Sequence, residues 1–186
     1  MLDVAHRLSS LSVGSSDAEF LGEEFLSMVL EVATISQEIG AMGMYRLARG
    51  NLAVYYAVLG EYDEAASYLG ESLRWLRTAG APSSWTGFQA LVASSVYRSR
   101  GDFERAAELA GAGEALATER ATAQYNWTIP ERRWRDENRE ALRAALGDDF
   151  DRVFQRGATL TSVQAIDLAS GRRAPGGSAP STGVPR

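Results

Sequence analysis

The chain has no cysteine, no lysine and one histidine, His6. Without cysteine there is no disulfide scaffold, no thiol nucleophile and no cysteine-ligated zinc or iron–sulfur site. Without lysine there is no lysine nucleophile, no lysine Schiff base and no P-loop lysine. A lone imidazole cannot make a two-histidine metal site, and no serine is poised to use it in a nucleophilic triad. Prolines number five, and three of them, Pro175, Pro180 and Pro185, lie near the C-terminus. Alternating apolar–polar runs and Asn-Gly or Asp-Gly hairpin signals are missing, which argues against strands. No stretch approaches the roughly 18 apolar residues of a membrane span, and no basic segment precedes an apolar run. The expectation is a soluble, cytoplasmic chain with no membrane partner, in which Asn126-Trp127-Thr128 is an idle sequon.

What remains is arginine, acid, alanine and leucine. All 19 basic residues are arginine, against 24 acidic ones, over 186 residues. Residues 1–170 hold sixteen of the arginines and all the acids, a net −8. That is a poor surface for a polyanion, so no direct nucleic-acid contact is expected. The length suits one domain and a tail, and is enough to bury a core without covalent staples.

Helical spacing runs throughout. Leu21, Phe25, Met28, Leu30 and Val32 recur at gaps of two to four, and Ile35 and Ile39 extend that face. The pattern predicts helices near 2–11, 17–39, 42–59, 62–78, 84–100, 102–117, 130–146, 149–156 and 162–169. Gly40, Gly60, Gly80, Gly101 and Gly147 each follow a helical run, where a left-handed residue closes a helix. Thr128-Ile-Pro-Glu131 and Thr161-x-x-Gln164 read as capping boxes. From Gly171 the Gly/Pro/Ser-rich tail has almost nothing to bury and is expected to be disordered.

Two segments superimpose by eye. Residues 51–66 and 92–107 share a tyrosine (Tyr56, Tyr97), then Gly, acid, aromatic and Ala-Ala, at an offset of 41 residues. Gly40-Ala41 and Gly80-Ala81 repeat at an offset of 40. A small residue (Ala53, Ser94) lets two helices approach, and glycine ends the first helix. The acid suits the next N-terminus, and Ala65 or Ala106 sits at the crossing. Each such hairpin buries its apolar face only against its neighbour.

Leu52-Ala53-x-x-Tyr56 with Ala65, and Ala93-Ser94-x-x-Tyr97 with Ala106, resemble the tetratricopeptide motif. Neither unit has the early tryptophan, Ser72 and Gly113 stand where the motif prefers alanine, and the period exceeds the usual 34. The order of segments from Gly101 through Pro130-Glu131, Gly147-Asp148-Asp149-Phe150 and Gly157 to Ile166 is similar to the end of MalT-like sensor arrays in STAND-class ATPases. Those arrays belong to LuxR-type and cyclase-fused bacterial transcriptional regulators. The resemblance implies an all-α fold: a right-handed stack of antiparallel hairpins (about 2–39, 42–78 and 84–117) with a C-terminal helical cap over 128–170. It implies an ATPase module N-terminal to this stretch and a helix-turn-helix C-terminal to it, so the chain reads as a detached array or a piece of a larger regulator.

Candidate chemistry is sparse. Asp148, Asp149 and Asp151 read as acid enrichment at a helix start rather than a cation site. Arg132, Arg133, Arg135, Arg139 and Arg143 alternate with Glu131, Asp136, Glu137 and Glu140 as a solvated, salt-bridged face. Tyr56, Tyr62, Tyr97 and Phe103 hold motif positions and are expected in the core. Trp75 reads as packing between hairpins. Trp85, Trp127 and Trp134 could be core or a partner-facing patch, and Trp127 could staple the helix start.

No catalytic residue, metal site or cofactor is expected. In tetratricopeptide arrays the first helix of each hairpin lines a concave groove. By motif position Asn51, Tyr55 and Arg98 point toward it, with Arg49 and Gln89 nearby. Asparagine can bond a peptide backbone and arginine a carboxylate. The alternative is a groove packed only by neighbouring helices. The expected function is a non-catalytic protein- or peptide-interaction or sensor module, whose partner could be the ATPase module of the same regulator. A small-molecule effector sensor is the second reading, and self-association through the stack's ends a further possibility.

Overall fold

A computed structural model describes residues 23–80, 83–118 and 129–172. Among these residues helices are the only regular secondary structure. The helices are α1 (Glu23–Glu38), α2 (Met42–Leu59), α3 (Tyr62–Ala79), α4 (Ser83–Ser99), α5 (Phe103–Thr118), α6 (Ile129–Leu146), α7 (Asp149–Ala158) and α8 (Ser162–Ala169). The helix expected at 2–11, the residues around Thr128 and Trp127, and the tail beyond Arg172 lie outside the described residues.

The helix stops are those the glycine spacing predicts. Gly40, Gly60, Gly80, Gly101 and Gly147 all have positive φ. At Gly60 the chain closes with Gly60 N–H donating to Ala57 O (3.1 Å) and Glu61 N–H to Tyr56 O (2.9 Å). Forty-one residues later Gly101 N–H donates to Arg98 O and Asp102 N–H to Tyr97 O, both at 3.0 Å. This pair of bonds satisfies carbonyls that the helix end leaves open, and it needs the left-handed residue glycine supplies. The next helix starts alike in both units, Ala65 N–H donating to Glu61 O and Ala106 N–H to Asp102 O. At α8 the Thr161–Gln164 capping box forms in full.

Packing runs between chain neighbours, α1 on α2, α2 on α3, α3 on α4 and α4 on α5, with α2 also against α4. α7 lies on α5, and α8 lies on α4, α5 and α3. α6 departs from this order and touches α2, α4, α5 and α7. α4 is enclosed on all sides, with Phe88 through Val96 buried without a break. Its sequence announces this, because no charge interrupts it before Arg98. The largest core cluster joins Ala53, Val54, Ala57, Ala65, Leu69, Leu73, Leu76 and the α4 residues to Trp134 and Ile166.

Small residues set the closest crossings. Ala53, Ser94, Ala65 and Ala106 are all fully buried. A Cβ added at Gly111 would fall inside the Phe154 carbonyl, and one at Gly157 inside the Glu108 carbonyl. α5 and α7 therefore meet backbone to backbone. Arg156 on α7 then reaches Glu104 and Glu108 on α5 at 2.9–3.1 Å. Glu108 first, then Glu104, accept its hydrogen bonds and raise its already high pKa further. Gly113 is a glycine for a local reason: a Cβ there would lie 2.6 Å from Leu91 Cγ on α4.

Two expectations are corrected. Phe103 is half-exposed rather than core. It is the first residue of α5, and helical side chains lean toward the N-terminus, past the end of the helix. Its counterpart Tyr62 is covered because Arg98 from the next hairpin reaches it. On α1 the buried face is Val29, Val32, Ala33 and Ser36, whereas Leu30, Ile35 and Ile39 are exposed. The helix has two apolar faces, and α2 packs on the one whose small residues allow close approach.

Candidate functional site

The densest polar arrangement in the interior lies where α3, α4, α5 and α6 meet. Arg98, near the end of α4, donates from Nε to Asn138 Oδ1 on α6 at 2.7 Å. Its Nη2 donates to the Tyr62 hydroxyl at the start of α3 at 2.8 Å. Asn138 Nδ2 donates to Ser94 Oγ at 2.9 Å, and Ser94 Oγ donates to the Ala106 carbonyl of α5 at 2.8 Å. Asn138 is 4% exposed and Ser94 fully buried. Every polar atom named here has a partner, which a buried network must have to be stable. The serine that replaces alanine at the small position of the second unit thus carries a relay from α6 to α5.

α6 is held on this face by one narrow stripe. Pro130, Trp134, Asn138 and Leu142 are buried, and Arg132, Arg133, Asp136, Glu137 and Glu140 are exposed. Trp134 enters the main core cluster and Leu142 the cluster around Phe150 and Val153. Trp134 is 6% exposed, yet its Nε1 has no acceptor. Arg139 pairs with Glu114 of α5 and Arg143 with Asp151 of α7, each at 3.1 Å. The charged helix is solvated outside, as its spacing predicts, and anchored to neighbouring helices inside.

The five residues assigned by motif position fall in different surroundings. Arg98 is the centre of the network. Asn51 is half-buried on α2. Tyr55 is an interior side chain, stacked on Phe25 at 5.6 Å and edge-on to Tyr56. Gln89 is also interior, its Nε2 donating to Gly50 O at 3.3 Å across α4 and α2. Arg49 pairs with Glu71 at 2.9 Å and lies 4.3 Å over the Tyr68 ring, between α2 and α3. Motif position alone did not identify Asn138, Ser94, Tyr62 or Trp134 as a group. A signal existed in Trp134-x3-Asn138-x3-Leu142: an asparagine amid strong helix formers is out of place unless its side chain has a partner.

The remaining candidates are quiet. Asp149 pairs with Arg152 at 2.7 Å and Asp151 with Arg143. Among the described residues no group of three or more His, Asp or Glu could hold a metal ion, and no helix is long and apolar enough to cross a membrane. Trp75 and Trp85 pack on each other at 5.5 Å across the α3–α4 junction. A half-open recess of about 390 Å³ lies at the α7–α8 turn, lined by Ala115, Leu116 and residues 158–162.

Searches of protein-family models, characterised proteins and solved structures find no match to this chain.

Proposed function

We propose that the chain is a non-catalytic protein-interaction module built as a tetratricopeptide-like stack of helical hairpins, acting as the regulatory array of a bacterial signalling ATPase or transcriptional regulator. The carrying observation is the repeated turn. The same two closing bonds and the same helix-starting bond recur 41 residues apart, around Gly60 and Gly101. Alanines at matching positions, Ala65 and Ala106, are both fully buried at the crossings. Stacked hairpins of this kind present helix faces to other helices or extended peptides, and they need no catalytic groups. The inventory fits: no cysteine, no lysine, one histidine, and arginines positioned for contact rather than proton transfer.

The face shared by α2 and α4, where Arg98 sits, is the recognition face. A small-molecule sensor is less well supported, because the recess described above is half-open and lies at the α7–α8 turn. Affinity capture with the full chain tests the reading. A P-loop ATPase regulator should be recovered by the wild type and lost with an Asn51→Ala, Arg98→Ala double variant. Unchanged recovery counts against the face. A melting temperature raised by a small effector, with no protein partner recovered, would favour the sensor reading.

A further inference from the structure

The Arg98 end of the recognition face already carries an occupant, the chain's own α6, which also lies against α5 and α7. It docks as an amphipathic helix docks in a groove, through residues four apart: Trp134, Asn138 and Leu142. The remainder of its surface is charged and solvated. Two features make the fit incomplete. The Trp134 Nε1 donor is buried without an acceptor, and buried unpaired donors weaken a docked state. Arg98 is the second. Its guanidinium bonds only to the neutral Asn138 amide and the Tyr62 hydroxyl. No carboxylate pairs with it among the described residues, whereas Arg49, Arg139, Arg143 and Arg156 all have one. A guanidinium fixed at two points, with further N–H groups and no anion, is suited to a carboxylate more than to an amide.

Building on the proposed interaction role, we infer that α6 is a displaceable internal stand-in, and that the partner is an amphipathic helix carrying an aromatic residue, a carboxylate four residues later and a leucine four after that. The aromatic ring takes the Trp134 place, the leucine the Leu142 place, and the carboxylate meets Arg98 where Asn138 now lies. Partner and α6 exclude each other, so binding of the partner frees α6. The charge-assisted pair favours the partner.

Two labelled 18-residue peptides test this: residues 129–146 as they stand, and the same peptide with Asn138→Asp. Each is titrated by fluorescence anisotropy against the full wild-type chain, Trp134→Ala, and Trp134→Ala with Arg98→Gln. Loosening α6 by Trp134→Ala should raise affinity for the Asn138→Asp peptide about tenfold or more over the wild type. The Trp134→Ala chain should prefer the Asn138→Asp peptide over the unchanged one by about tenfold, one charge-assisted pair's worth. Arg98→Gln should erase that preference, and raised salt should shrink it. Equal affinity for the two peptides overturns the carboxylate at that position while leaving the interaction face standing. No binding of either peptide to a Trp134→Ala chain that melts cooperatively overturns the face as well. Should Trp134→Ala not fold, Asn138→Asp in the intact chain decides when set against the same change in an Arg98→Gln background, since both lose the Asn138 Nδ2 bond to Ser94 Oγ: a smaller loss of melting temperature with Arg98 present supports the carboxylate preference, and an equal or larger one overturns it.

Discussion

Gly111→Ala isolates the backbone contact between α5 and α7. In a solvated helix interior the change from glycine to alanine stabilises by about 0.5–1 kcal/mol, because the unfolded glycine is freer. At Gly111 the new Cβ would overlap the Phe154 carbonyl and lie 3.1 Å from Ala158 N. Both obstacles are backbone, so neither can swing aside, and α7 must shift away from α5. Overpacking of this kind costs about 1–3 kcal/mol. For a chain of this size that lowers the melting temperature by about 2–12 °C. The shift would also disturb the Arg156 pairs with Glu104 and Glu108. Gly70→Ala on α3 is the control, since its Cβ would meet only the flexible end of Arg74 at 3.8 Å. It should raise the melting temperature by about 1–4 °C. Thermal unfolding followed by helical circular dichroism reads both. A Gly111→Ala chain stabilised like Gly70→Ala would refute the close approach of α5 and α7.

Three further outcomes are expected. Ala65→Leu and Ala106→Leu, each placing three extra carbons at a fully buried crossing, should each destabilise by about 1–3 kcal/mol in chemical denaturation. Phe103→Ser should change stability by less than about 1 kcal/mol, because the ring is already half-exposed; a large loss would place it back in the core. Burial, and then its neighbours Tyr68 and Tyr55, raise the Tyr56 pKa above the ordinary 10.0. The unfolded chain therefore releases this proton first, and the folded state should lose stability as pH climbs past about 10. Tyr56→Phe should flatten that alkaline decline in pH-dependent unfolding.

Much of the fold is written in local signals. The glycine stops at Gly60 and Gly101 are legible because their backbone conformation excludes most other residues, and the Thr161–Gln164 box because its two bonds are made within one turn. The all-round burial of α4 is legible in its lack of charge. What sequence periodicity cannot tell is which of two apolar faces a helix buries. α1 and the turn after it offer Ile35 and Ile39 as readily as Val29 and Val32, and the choice is made by the small residues that let α2 approach. The same holds for the site. Arg98 is found by its place in the repeat. Its partners come from helices 36 and 40 residues away, Tyr62 and Asn138, and only the fold brings them together. Gly113 reads as a departure from the motif until Leu91 is placed against it.

The seating of α6 against Arg98 at the end of α4 is the claim on which the partner reading turns, and a double-mutant cycle across Arg98 and Asn138 tests it most directly. The two side chains meet at 2.7 Å in a largely buried setting. Arg98→Ala, Asn138→Ala and the combined variant, compared by chemical denaturation, should show a coupling of about 1–3 kcal/mol. Strictly additive losses would mean that the two residues do not touch in solution and that α6 lies elsewhere.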